Sequence, residues 1–290
     1  MTLSCTTVEW RGLTLSSDRG SPFGVRSLRG WDELPASRGD SPGRPLAHGG
    51  FDTPVWSDER IVTLGGQIVS PDRDALLAEL SSVMTWAPGG GSGEDLRITR
   101  AGRTLTATAR LTAFQTPTDL DWAVGVVPFV IEWRAADPLR YGDTINESTG
   151  FPFAAGGLEF PLFTDGVTDT GYLEFGAQGS TGRVTVTNIG TAATSPQFEV
   201  TGPTPPFSIV HVESGRRLSF AQSVAAGDRL LIDSATGLVV LNGGDVDYSG
   251  MLTRAEWSPV GPGESASFAF IPDGPFADGT LTVIFRPAWW

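Results

Sequence analysis

Lysine is absent from this chain of 290 residues; its 20 basic residues are all arginine, against 33 acidic ones, for a formal charge of −13. A partner that binds through phosphates needs clustered basic residues, and the net charge argues against one. The densest basic stretch, Arg97, Arg100, Arg103 and Arg110, alternates with apolar residues beside Glu94 and Asp95 and reads as a solvated strand face. No nucleic-acid partner is expected. Arginine also suits fixed protein–protein contacts better than lysine does. Cysteine is nearly absent: Cys5 stands alone, so no internal disulfide can form. The two histidines, His48 and His211, lie far apart, and there is no CxxC pair, so the ligands of a zinc site are missing. No metal or cofactor is expected, and Cys5 reads as a small residue near the N-terminus. The longest apolar runs, Trp122–Val127 and Pro128–Trp133, are too short to cross a bilayer. Met1 to Cys5 shows no basic segment leading into an apolar one, so no secretory signal is read and synthesis in the cytoplasm is expected.

Catalytic signatures are missing as well. There is no Gly-x-Ser-x-Gly, no His-Glu-x-x-His and no cysteine–histidine pair. Gly89 to Gly93 follows a helical pattern, whereas a phosphate-binding loop precedes its helix. With 33 acidic residues some carboxylates always fall close together, so a glycosidase-like pair carries no information. The chain reads as non-enzymatic.

What is present points to short strands. Glycine (37) and proline (21) supply tight turns, and 40% hydrophobic residues with 18% charged are enough for a buried core. The length favours two domains. In the first, 1–142, Val8 to Leu15 reads as an edge strand. Asp18 to Gly50 is a long arm or loop with a strand fragment at Phe23–Leu28 and no core periodicity after Asp32. Trp31, Arg38, Arg44 and His48 make it a candidate assembly interface, one that docks on a neighbouring polypeptide; a plain surface loop would have the same composition. Glu59 to Val69 is strand-like, with Gly65-Gly66 suggesting a bulge. A serine cap at Ser70, Pro71 and early acids open a helix over about 71–86. Leu96–Arg100 and Arg103–Leu111 form a hairpin around Ala101-Gly102, and Trp122 to Trp133 reads as a strand pair or a long kinked strand broken at Pro128. The expected fold is α+β, one helix on an antiparallel sheet.

Asp137-Pro138 turns the chain out of this sheet, and Arg140 and Tyr141 follow. These four residues are the candidate interdomain junction, with Tyr141 either wedged between domains or part of an ordinary turn. Over 143–290, strands recur at short spacing from Gly182–Asn188 to Gly279–Phe285, with Gly227-Asp228 and Asn242-Gly243 as turns. That spacing reads as a β-sandwich, so the chain as a whole is mainly β. Trp289-Trp290 reads as the end of a strand closing this sandwich, with docking on another polypeptide as the alternative.

An ordered set of segments carries a resemblance. Asp137-Pro138-Leu139-Arg140-Tyr141-Gly142 is followed by Thr187-Asn188-Ile189-Gly190-Thr191 and Gly227-Asp228-Arg229-Leu230-Leu231-Ile232-Asp233. Trp257-Ser258-Pro259-Val260-Gly261-Pro262-Gly263 and the tail Leu281 to Trp290 come next. Together with the arm, helix and hairpin of the first half, they resemble the distal tail (Dit) proteins of long-tailed siphophages, over nearly the whole chain. The resemblance implies a minor structural protein of the virion tail tip or baseplate. Its N-terminal domain would close a ring, a hexamer, and its C-terminal domain would be a galectin-like sandwich. Implied partners are other copies of the chain, the major tail tube protein and the tail-associated hub or spike protein. Tape-measure and receptor-binding or side-fibre proteins are further implied partners, with no membrane insertion. An alternative is a carbohydrate-binding module for host cell-wall glycans, although His211, Asn242 and Trp257 are scattered in sequence.

Overall fold

Period-two alternation of buried and exposed side chains builds both halves of this protein, seen in a computed structural model that describes residues 5–85, 93–117, 125–153, 179–274 and 278–290. The chain divides into two units, one running to Asp143 and including Ala288–Trp290, the other spanning Thr144–Pro287. In the first unit, β1 (Thr7–Trp10) and β2 (Leu13–Ser16) form a hairpin, and β3 (Phe23–Arg29) follows. A small ribbon of β4 (Ser37–Arg38) and β5 (Trp56–Ser57) precedes β6 (Arg60–Val69) and the helix α1 (Arg73–Val83). β7 (Glu94–Arg100), β8 (Arg103–Gln115), β9 (Val126–Ala135) and β10 (Arg140–Tyr141) complete this run.

The order β8-β7-β1-β2-β3-β6-β9 closes, because β9 pairs back onto β8 over Arg110–Gln115. The long β8 makes closure possible: it shares its first half with β7, then a register shift between Leu111 and Ala113 bends it towards β9. This modifies the expectation of an antiparallel sheet under one helix. The sheet is barrel-like, and Ser16↔Gly24 pairs β2 with β3 in parallel. Trp10, Leu15, Leu64, Phe129, Ile131 and Trp133 fill the interior, with the rings of Trp10 and Trp133 5.8 Å apart. Each such side chain contributes roughly 1.5–3 kcal/mol by leaving water, so this apolar set dominates the unit's stability.

The Gly65-Gly66 pair is not itself the bulge. β6 runs unbroken against β9, and the irregularity lies in β3 between Val25 and Ser27. Gly66 is required because a Cβ there would meet the Phe129 ring at 2.3 Å. The helix begins two residues after Pro71, because the Ser70 hydroxyl accepts the Asp72 N–H at 3.1 Å and Asp72 becomes the N-cap. It packs on β6 and β9, with Leu80 buried; its expected end at Trp86 lies outside the described residues.

Among the described residues, two five-stranded antiparallel sheets make the second unit. Its strands are β11 (Ile145–Gly150), β12 (Arg183–Thr187), β13 (Gln197–Thr201), β14 (Phe207–His211) and β15 (Arg217–Phe220). β16 (Arg229–Asp233), β17 (Val239–Leu241), β18 (Leu252–Ala255), β19 (Ser265–Pro272) and β20 (Thr280–Phe285) follow. One sheet runs β11-β20-β13-β16-β17 and the other β12-β19-β14-β15-β18. Inward residues of both share one core, where Phe198 meets Phe268 edge-on at 5.0 Å. Cross-strand hydroxyl pairs such as Thr185–Ser267 and Ser148–Thr282 satisfy each other. The Thr187–Thr191 segment has a structural cause: buried Asn188 donates to the Ala192 and Val260 carbonyls at 2.7 and 3.1 Å and accepts the Gly190 N–H at 3.0 Å.

The chain then leaves this sandwich. β21 (Ala288–Trp289) pairs with β10 in the first unit, Arg140↔Trp289 and Tyr141↔Ala288. The expectation that Trp289 closes its own sandwich is thereby corrected. The short β10 leaves an open edge on the first sheet, and Trp289, 6% exposed, joins that unit's core.

Candidate assembly surface

Arg60 anchors the arm. It begins β6 in phase with Val62, Leu64 and Ile68, so its side chain points inward and is fully buried. Its Nη1 donates to the carbonyls of Gly30, Trp31 and Glu33 at 2.7, 2.9 and 2.8 Å. Its Nε donates to the Pro138 carbonyl at 2.8 Å. Burial, then the nearby positive charge of Arg140, push its pKa down to about 10. Gly30 lies so close to β6 that a Cβ would meet the Ile61 carbonyl oxygen at 1.8 Å. One guanidinium thus fixes the point where the chain leaves the barrel.

Beyond that point the chain runs out and back as a hairpin, from Glu33 to Asp58. Asp58 N–H donates to the Ala36 carbonyl at 2.7 Å, β4 pairs with β5, and Phe51 N–H donates to the Pro42 carbonyl at 2.9 Å. Leu34, Leu46, Phe51, Val55 and Trp56 are between 50% and 101% exposed along it. Clustered apolar groups left in water mark a surface made to be covered.

The expected interface residues divide. Arg38, Arg44 and His48 are exposed on this hairpin, with the Arg44 guanidinium 5.8 Å from the Phe51 ring. Trp31 is corrected: it is 2% exposed, a core residue of the barrel, because Arg60 pulls its backbone inward. The arm's extent also shifts. Phe23–Arg29 is barrel strand, while Phe51, Val55 and Trp56, beyond the expected end at Gly50, belong to the arm. Thr53-Pro54 was the available signal, since proline cannot donate to a sheet ladder.

The junction residues lie where Arg60 works. Asp137 accepts the Leu139 N–H at 3.0 Å and the Tyr141 hydroxyl at 2.6 Å, and the Pro138 carbonyl serves Arg60. Arg140 is buried, donating to Asp32 Oδ1 at 3.1 Å and to the Trp290 carbonyl. Trp31, Asp32, Arg100, Arg103, Arg140 and Trp289 line an open cavity of about 370 Å3 in this unit. Asp32 also accepts from Arg100, while Arg140 lies 5.5 Å over Trp31 and Arg103 5.3 Å over Trp289.

In the second unit, the residues weighed for sugar binding do not converge. His211 ends β14, its Nδ1 2.6 Å from the Ser214 hydroxyl. The Trp257 carbonyl accepts from Arg216 at 3.0 Å. Asn242 follows β17 in the other sheet and braces a turn, accepting the Arg229 N–H and donating to Asp228, both at 2.8 Å.

The chain is thus mainly β, in two units, and carries an arm with exposed apolar side chains. Residues 189–289 match the family described as "Siphovirus-type tail component, C-terminal domain". That stretch, from β13 through the returning strand, is thus similar to a siphovirus-type tail-component domain, and the resemblance to the distal tail proteins is borne out. Over 97% of this chain and 98% of the other, the fold is similar to the crystal structure of the SPP1 Dit (gp 19.1) protein, at 14% identity and a TM-score of 0.64. That protein is described as a paradigm of the hub adsorption apparatus in phages infecting Gram-positive hosts. A chain of the phage P2 baseplate in its activated conformation with Ca is similar at 9% identity and a TM-score of 0.48, with 98% of each chain covered. No curated protein sequence matches the chain.

Proposed function

We propose that this protein is a non-catalytic structural component of a siphophage tail tip, at the distal end of the virion tail. Copies would join there into a ring, a hexamer by family resemblance, between the tail tube and the hub or spike below it. The observation that carries the reading is the arm, whose apolar side chains are uncovered within the chain. A closed ring needs one surface on each copy to meet a different surface on the next. An arm projecting from a rigid barrel supplies one of the two. Arg38, Arg44 and His48 lie on that arm and would face the neighbouring copy. The tail tube protein and the hub protein are the other expected partners, with tape-measure and receptor-binding or side-fibre proteins beyond them.

Deleting the gene from its phage and supplying it in trans tests this reading. The deletion is expected to abolish infective particles and to leave tails without finished tips, with full recovery by the wild-type chain. Infective particles with normal tips in the deletion strain would refute it.

A further inference from the structure

Among the described residues that line it, the cavity at the root of the arm holds more positive than negative charge. Its lining contributes three guanidinium groups, Arg100, Arg103 and Arg140, and one carboxylate, Asp32, which two of them already share. Arg103 makes no ion pair among the described residues; its partner is the Trp289 ring. Arg140 has 7% exposure, and its Nε is buried without a hydrogen-bond partner. Arg60, on which Glu33 and Asp137 act, feels the charge of Arg140 as well. Burial, and to a smaller extent the charge of Arg103, push the Arg140 pKa down, while Asp32 opposes the shift. In a chain of net charge −13, a cationic cavity walled by tryptophan is out of keeping with its surroundings.

We infer that this cavity is the socket for the arm of an adjacent copy of the chain, which places a carboxylate, Asp40 or Asp52, on the guanidinium groups. The arm carries both acids in exposed positions beside uncovered Phe51, Val55 and Trp56. It is rooted at the cavity wall, because Trp31 and Asp32 immediately precede it. Each copy therefore offers arm and socket side by side, the arrangement that repeats around a closed ring. Guanidinium groups bind a carboxylate in a directed, paired geometry that ammonium groups do not match. The inference rests on the ring proposed above.

The test uses the full chain supplied in trans to the deletion phage. Arg103→Glu removes a like charge beside Arg140, so the purified variant is expected to melt no lower than wild type. Its incorporation into tails is expected to fall at least about tenfold, as losing one partner of an interfacial charge pair does. The double variant Asp40→Arg/Asp52→Arg is expected to fail similarly, and combining it with Arg103→Glu to restore incorporation. Normal incorporation of Arg103→Glu would overturn the socket while leaving the tail-tip reading intact. A loss that the arm reversals do not rescue would overturn the arm as its occupant. Absence of the wild-type chain from tails would instead remove the tail-tip reading itself.

Discussion

Arg60 sits at an inward position of a strand, where an arginine would ordinarily be disfavoured, and four backbone carbonyls make it acceptable. Hydrogen bonds from a charged donor contribute about 1.5–3 kcal/mol each, and a buried acceptor left unpaired costs about 1–3 kcal/mol. Arg60→Ala is therefore expected to destabilise the first unit by more than about 3 kcal/mol in urea unfolding. A change below about 1 kcal/mol would show that water replaces the guanidinium. Gly66 is a second single-residue constraint, with the Phe129 ring at 2.3 Å and the Gly24 carbonyl at 2.9 Å from any added Cβ. Gly66→Ala should lower stability by about 1–3 kcal/mol through overpacking. The phase of β6 made Arg60 readable in the sequence, since it shares parity with Val62, Leu64 and Ile68. Trp31 had no such cue, because its burial comes from a side chain 29 residues away.

Among the elements, hairpins carry the most legible information. Asn-Gly at 242–243 and Ala-Gly at 101–102 were readable as turns, and Asn242, Ala101 and the residue after each have positive φ. Ala101, at φ 52°, adopts a backbone that glycine accepts with less strain. Ala101→Gly should raise stability by about 1 kcal/mol, and a fall in melting temperature would contradict that turn geometry. The β1–β2 hairpin is tied to its neighbours by Arg11, which holds Glu94 at 2.7 Å and the Val83 and Thr85 carbonyls at 3.0 and 2.8 Å. The hydrogen bond from Arg11 lowers the Glu94 pKa. A carboxylate with a lowered folded pKa stabilises above its unfolded value and loses that contribution as pH falls through the folded one. Stability should accordingly decline below about pH 4.3, the ordinary glutamate value. Glu94→Gln should flatten that decline in urea midpoints measured against pH. Closure of the sheet was not legible, because it depends on β9 returning to β8, a long-range pairing with no local sequence signal.

At the scale of the whole molecule, the chain's last strand belongs to the first unit although it follows the second in sequence. A terminal Trp-Trp after a run of strand residues has the same local pattern whichever sheet it joins, and the sequence could not choose between them. Trp289→Ala should cost about 3–5 kcal/mol in the first unit, as expected for a buried aromatic. The loss should fall on the first unit, since the described core of the second does not include Trp289. If proteolysis of the Trp289→Ala chain released a folded 1–143 fragment as resistant as wild type, β21 would have no stabilising role.

In the proposed role, the arm and the cationic cavity meet other polypeptides at a tail tip. Electron cryomicroscopy of the intact virion tests it most directly. The account predicts density for this chain at the distal end of the tail, in a closed ring with each arm on the next copy. Density at the tail's distal end that this fold does not fit, with the chain absent from the particle, would contradict it.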